Sequence, residues 1–164
     1  MKSLIFALAL IFVSLTVPVF ADDFQEGLDA ANQGDFATAF EKWEPLAKRG
    51  NGLAQFNLGL MYDKGEGVKR DYKKAAKWYK LAANKGIASA QFNLAGLYSK
   101  GKGVRQSFKR AVMWFVRAAK QGNASAQFNL GLMYDIGEGV PPDYRRAIKW
   151  YRLAAKQNNA QAQF

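Results

Sequence analysis

The chain has 164 residues, a net charge of +11, no cysteine and no histidine. Without those two residue types it offers no ordinary zinc site, no Ser-His pair and no thiol nucleophile, and its stability must come from packing without disulfides. At 49% hydrophobic and 14% aromatic it has ample apolar material for one folded unit with a continuous core.

The first 21 residues stand apart. Lys2 precedes an apolar run from Leu4 to Val13, and Val19-Phe20-Ala21 places small or permissive residues three and one before Asp22. That layout predicts a cleavable signal over residues 1–21, with cleavage after Ala21 and a periplasmic or secreted mature chain. The alternative is an uncleaved anchor, although the run falls just short of the ~18 to 20 residues that span a bilayer. After cleavage no transmembrane segment is expected. Residues 22–47 carry seven acids against Lys42, a net −6, whereas residues 48–164 carry 22 basic residues against six acids, a net +16. Such an imbalance attracts anions, but export removes most nucleic acid from reach. Anionic envelope polymers, lipid head groups or acidic proteins are the expected attractors, and nucleic acid is not.

From Asp22 a helical pattern runs through Phe24, Leu28 and Ala31 to Gly34. Asp35 then offers a cap for a second helix carrying Phe36, Ala39, Phe40, Trp43, Leu46 and Ala47 up to Gly50. Pro45 lies late in that helix, where the missing donor is expected to kink the last turn or end it early. Gly27 to Asp35 spans eight residues and the matching Gly59 to Asp71 spans twelve, so the opening pair is a shorter variant of the later units.

From residue 54 onward the chain repeats itself. Ala54-Gln55-Phe56-Asn57-Leu58 returns as Ala90-Gln91-Phe92-Asn93-Leu94 and Ala126-Gln127-Phe128-Asn129-Leu130, and begins again at Ala162-Gln163-Phe164, each time after 36 residues. Such a period marks a solenoid, whose units each borrow a wall from a neighbour to bury their apolar face. In each unit a first helix buries Ala54, Leu58, Met61 and Tyr62 or their counterparts, with Gly59 expected where a neighbouring backbone comes close. Unit two writes Ala95-Gly96 for Gly59-Leu60, keeping a small residue there. Asp71, Ser107 and Asp143 are candidate caps for the second helices. Those helices are expected to bury Tyr72, Ala75, Ala76, Tyr79, Ala82 and Ala83, then Phe108, Ala111, Val112, Phe115, Ala118 and Ala119, then Tyr144, Ala147, Ile148, Tyr151, Ala154 and Ala155. Gly86, Gly122 and Asn158 stop them.

The loops Gly65-Glu66-Gly67-Val68, Gly101-Lys102-Gly103-Val104 and Gly137-Glu138-Gly139-Val140 are not phosphate loops, for no strand precedes and no third glycine follows. Two glycines with positive φ suit a tight helix-to-helix connection. Asp63, Glu66, Asp135 and Glu138 recur at unit spacing, which fits solvated loop charges better than catalysis. Ser99-Lys100-Gly101-Lys102 has the Ser-x-x-Lys spacing of penicillin-recognising enzymes, but it sits at a helix-to-loop junction and neither Ser-Asp-Asn nor Lys-Thr-Gly accompanies it.

The pattern Ala-x-x-x-Leu-Gly-x-Met-Tyr, Gly-x-Gly-Val, Asp-x-x-x-Ala-x-x-Trp-Tyr and Ala-Ala from Ala54 to Gly86 resembles the Sel-one-like repeat, a relative of the tetratricopeptide repeat. Three copies are expected over 54–89, 90–125 and 126–161, with 162–164 opening a fourth, while residues 22–53 resemble one tetratricopeptide pair through Gly27, Ala30, Gly34, Phe36 and Ala39. The resemblance implies an all-α, right-handed superhelical solenoid of antiparallel helix pairs, first helices concave and second helices convex. It also implies an adaptor for proteins or peptides in the cell envelope, not an enzyme, with no cofactor or metal. Secreted cysteine-rich relatives, stapled by disulfides, bind penicillin-like ligands; this chain departs from them in having no cysteine.

Two surfaces are candidates for binding. On the concave side Phe56, Leu60 and Asp63 share a face with Phe92, Gly96 and Ser99 and with Phe128, Leu132 and Asp135, a repeated apolar stripe suited to a peptide or helix. Equally, the three phenylalanines could be ordinary core between units. Asn57, Asn93 and Asn129 stand where some tetratricopeptide proteins grip a peptide backbone, or else they form an interhelical ladder. No carboxylate clamp is expected, since Phe56 and Leu60 hold the cationic places. On the convex side Lys73, Lys77 and Lys80, with Lys109 and Arg110, then Arg145, Lys149 and Arg152, would form a basic stripe, either an anion-binding face or a solvated one. An adaptor that binds a peptide or protein in its groove is therefore expected; the alternatives are a binder of envelope glycan or peptidoglycan fragments and a β-lactam-hydrolysing enzyme.

Overall fold

The computed structural model describes residues 19–157, so most of the expected signal segment, the Asn158 helix stop and the fourth repeat's opening lie outside the described residues. These contain eight helices and no strand: α1 (Val19–Asn32), α2 (Phe36–Lys48), α3 (Gly52–Lys64), α4 (Tyr72–Asn84), α5 (Ala88–Lys100), α6 (Phe108–Lys120), α7 (Ala124–Ile136) and α8 (Tyr144–Ala155). Each helix packs against its successor in the chain, giving a row of hairpins, and α3 also touches α5.

Local chemistry sets the helix ends. Asp35, Asp71, Ser107 and Asp143 each accept an amide of the following helix, as expected of their side chains. Asn51 and Asn123 cap α3 and α7 in the same way, while Ile87 stands at the start of α5 with no side-chain cap. The first helices of the repeats end on left-handed Gly65, Gly101 and Gly137. Pro45 does not shorten α2, which runs on to Lys48. Pro45 and Glu41, whose carbonyl loses its helical donor, are both exposed residues.

Leu58, Leu94 and Leu130, 36 residues apart, are fully buried on the first helices, against alanines of the second helices. Burying such a side chain contributes ~1.5–3 kcal/mol. Small residues bring the hairpin partners together, but Gly59 makes room for something other than a backbone. A Cβ there would run into the Tyr79 ring; at Gly131 it would come within 2.7 Å of Tyr151, and at Gly27 within 2.5 Å of the Trp43 indole. Ala95 takes this place in unit two, opposite Phe115, and is also fully buried.

Three buried polar residues join the units. Gln55, Gln91 and Gln127 donate through Nε2 to the carbonyls of Ala47, Ala83 and Ala119, at 3.0, 3.1 and 3.1 Å, near the end of the preceding helix. The loops join them as well. The second glycine of each Gly-x-Gly-Val loop, with φ between +67° and +75°, lies against the backbone at the start of the previous unit's second helix: Gly67 on Phe36, Gly103 on Tyr72 and Gly139 on Phe108. The same surface on α8 is uncovered among the described residues. Tyr144 and Ile148, expected in the core, are 67% and 50% exposed, and Ala155 is half-buried, because burial there requires a following hairpin.

Candidate functional site: a groove along the first helices

The first helices of the three repeats all contribute to a pocket of about 220 Å³. Asp63 of α3, Phe92, Asn93, Gly96, Ser99 and Lys100 of α5, Lys102 of the following loop and Asn129 of α7 line it, with Phe115 of α6 as part of the floor. The helical spacing that put Phe92, Gly96 and Ser99 on one face therefore holds. The neighbouring stretch of groove, a pocket of about 120 Å³, brings Asn57 and Leu60 together with Phe36, Trp43 and Glu66. Leu132 is 38% exposed farther along.

The repeated phenylalanines are not free side chains. Phe56, Phe92 and Phe128 are half-buried, each resting on a ring of its own unit's second helix: Tyr79 at 6.1 Å, Phe115 at 5.8 Å and Tyr151 at 5.6 Å between centroids. Phe92 also lines the central pocket, so one side of its ring is core and the other is groove wall. Asn93 and Asn129 both border the central pocket, Asn93 near the Tyr79 hydroxyl and Asn129 donating to the Ser125 carbonyl of its own helix at 2.8 Å.

Asp63 and Asp135 are not solvated loop charges. Both sit in the last turn of a first helix, half-buried, accepting from the hydroxyls of Tyr79 at 3.1 Å and Tyr151 at 3.5 Å. Burial, and after it the Asp63 carboxylate, holds the Tyr79 hydroxyl far above its ordinary titration range, and the same two causes raise Tyr151. Unit two has Ser99 and Phe115 at these positions, so hydroxyl and carboxylate are lost together. Glu66 pairs with Lys64 at 3.4 Å. Ser99 and Lys100 close α5, Gly101 is its cap and Lys102 lies in the loop, as their junction position required.

The basic stripe expected on the second helices is less continuous than its lysines implied. Lys73, Lys77, Lys80, Lys109, Arg145, Lys149 and Arg152 are all exposed. In unit two, however, Met113 and Val116 occupy the places of Lys77 and Lys80, and Met113 is 42% exposed, so an apolar gap splits the stripe. Arg110 is exposed too but belongs to another set: its guanidinium lies 5.5 Å from the Tyr98 ring, as Arg146 does over Tyr134 and Lys74, at 5.0 Å, over Tyr62. This cation–aromatic ladder was legible as Tyr and Lys or Arg twelve residues apart in every unit, at 62 and 74, 98 and 110, 134 and 146.

Among the described residues no helix is long and apolar enough to cross a membrane. No group of acidic residues there could hold a metal ion.

The family model of the Sel1 repeat matches residues 52–87, 88–123 and 124–159. The crystal structure of c5321 from uropathogenic Escherichia coli, a protective antigen displaying an SLR fold, is similar at 33% identity and a TM-score of 0.83, over 88% of this chain and 32% of that one. A Sel1 repeat protein from Oxalobacter formigenes is similar at 34% identity and a TM-score of 0.81, over 85% of this chain and 57% of that one. This chain thus spans about a third and little more than half of those two proteins. Helicobacter pylori cysteine rich protein B shares the fold at 15% identity and a TM-score of 0.58, over 87% of this chain and 91% of that one. No curated protein matches. With three repeats recognised end to end on a right-handed solenoid of helix pairs, the chain belongs to the Sel1 repeat family.

Proposed function

We propose that this chain is an exported adaptor that binds a peptide or a protein segment along the groove of its first helices. Sel1 repeats commonly serve as protein-interaction scaffolds, and a solenoid spends its core on holding units together, leaving its long faces for partners. The observation that carries the choice of face is the central pocket, where Phe92 and Phe115 supply apolar floor and Asn93 and Asn129 supply amides beside it. An extended peptide needs that combination, apolar contact for side chains and amide groups for its backbone. The opposite side offers separated blocks of charge with an apolar hollow of about 480 Å³ at Val112, Met113 and Val140 between them, but no side-chain amides lining that hollow to meet a peptide backbone. Export rests on the Lys2-led apolar run and Ala21, and the description of the similar E. coli protein as a protective antigen accords with a location that antibodies reach.

Site-specific photocrosslinking in cells tests the face. A photoreactive side chain at Leu132, in the groove, is expected to capture a protein partner, and the same group at Lys77 or Lys149 is not. Capture confined to positions 77 and 149 would move the function to the convex side and contradict the proposal.

A further inference from the structure

The three repeats are close copies, so the positions at which one of them departs carry information. Along the groove edge unit one has Leu60, Asp63, Lys64 and Glu66, and unit three has Leu132, Asp135, Ile136 and Glu138. Unit two has Gly96, Ser99, Lys100 and Lys102. The net charge of this edge is therefore −1 in unit one, +2 in unit two and −2 in unit three. The leucine that fills the groove in the outer units is missing in the middle one, and a Cβ added at Gly96 meets nothing within 4 Å. Nothing in the helix requires that glycine, which is ~1 kcal/mol worse than alanine in a helix interior and has no positive φ to justify it here.

These departures fall together on the central pocket. Gly96, Ser99, Lys100 and Lys102 all line it. Glu66 offsets Lys64 in unit one, whereas the residue in the place of Glu66 is here a second lysine, Lys102, whose ammonium lies 5.0 Å from the Tyr72 ring. A cavity of about 150 Å³ takes a benzene ring. The 220 Å³ above Phe92 and Phe115 therefore accommodates one bulky apolar side chain. Asp63 on the opposite wall accepts from the neutral Tyr79 hydroxyl and keeps its negative charge, so an incoming anion is repelled there and drawn to the lysine side.

Resting on the groove reading, we infer that unit two is the selective position of the groove, and that it takes a peptide in which a bulky apolar residue is followed or preceded directly by Asp or Glu. The apolar side chain replaces the missing leucine over Phe92. The carboxylate pairs with Lys100 and Lys102, while Asn93 and Asn129 meet the backbone between them.

An arrayed library of Gly/Ser peptides, varied over all residue pairs at two adjacent central positions and probed with the full chain, tests this. The wild-type protein is expected to select Phe, Leu or Trp next to Glu or Asp. Gly96→Leu, the residue of units one and three, is expected to weaken a labelled Phe-Glu peptide at least tenfold while the thermal midpoint stays level or rises. Lys100→Ile with Lys102→Glu, the pair found in unit three, is expected to abolish the preference for Glu over Lys. Selection unchanged in both variants overturns the inference but leaves peptide binding in the groove standing. Selection for acidic residues alone, indifferent to Gly96→Leu, makes the patch a general polyanion site and also overturns it. Binding of no peptide in the library removes the groove reading and the inference together.

Discussion

Gln55, Gln91 and Gln127 are the buried side chains whose hydrogen bonds cross from one hairpin to the next, and they are not equally satisfied. Oε1 of Gln91 accepts from Gln121 at 2.8 Å and that of Gln127 from Gln157 at 2.9 Å. The residue in that place for Gln55 is Lys85, whose chain lies instead along Gly50 and Gly52, and no donor among the described residues reaches Gln55 Oε1. A buried acceptor left without a partner costs ~1–3 kcal/mol. Lys85→Gln supplies the donor that the other units use, so chemical denaturation is expected to show a gain of about 1 kcal/mol. A neutral or destabilising result would mean that Gln55 is already satisfied. These glutamines were on view in the recurring pentapeptide, yet its Phe and Asn drew the functional reading. A polar residue that is the same in every copy, next to an invariant alanine, is the signal that it is buried and bonded. Tyr79 with Asp63 was harder to foresee, for the two are 16 residues apart and join only once α3 and α4 pack.

At the scale of the element, most of what the sequence promised is present. Helix starts follow Asp and Ser caps and helix ends follow glycine, since both are decided by a few neighbouring residues. Departures came where more than near neighbours decided the outcome: α2 runs on past Pro45 to Lys48, and Gly59 makes room for a ring. The Gly-x-Gly-Val loop shows both levels at once. Gly86 and Gly103 have similar backbones, φ +89° and +68°, but a Cβ at Gly86 meets nothing whereas at Gly103 it meets the Tyr72 backbone, which cannot swing aside. Gly86→Ala is expected to cost only the left-handed term, about 1–2 kcal/mol. Gly103→Ala is expected to exceed it by roughly 1–3 kcal/mol, the usual range for overpacking. Urea melts of the two variants check the difference, and equal losses would show that the loop does not clamp one hairpin to the next.

On the scale of the whole molecule, the period of 36 residues was enough to announce a stack of helix pairs, because repetition is a property of the sequence itself. The central pocket was not legible in that way. It arises from the positions where unit two breaks the repeat, and its walls come from α3, α5, α6 and α7. The long-range charge imbalance survives folding as well: the acidic opening hairpin holds Lys42 between Asp23 and Glu26, while unit two turns a basic edge into the groove. The two ends of the described solenoid therefore differ in charge, and the groove between them changes sign along its length. A bound acidic peptide should be centred on α5.

An amide-resolved NMR titration of the full chain with a Phe-Glu peptide reads that position directly. The account predicts that the shifts concentrate at Asn93, Gly96, Ser99 and Asn129, including both asparagine side-chain amides, with Lys77, Lys149 and Arg152 unmoved. Shifts confined to α4, α6 and α8 on their exposed side, with the asparagines silent, would contradict it.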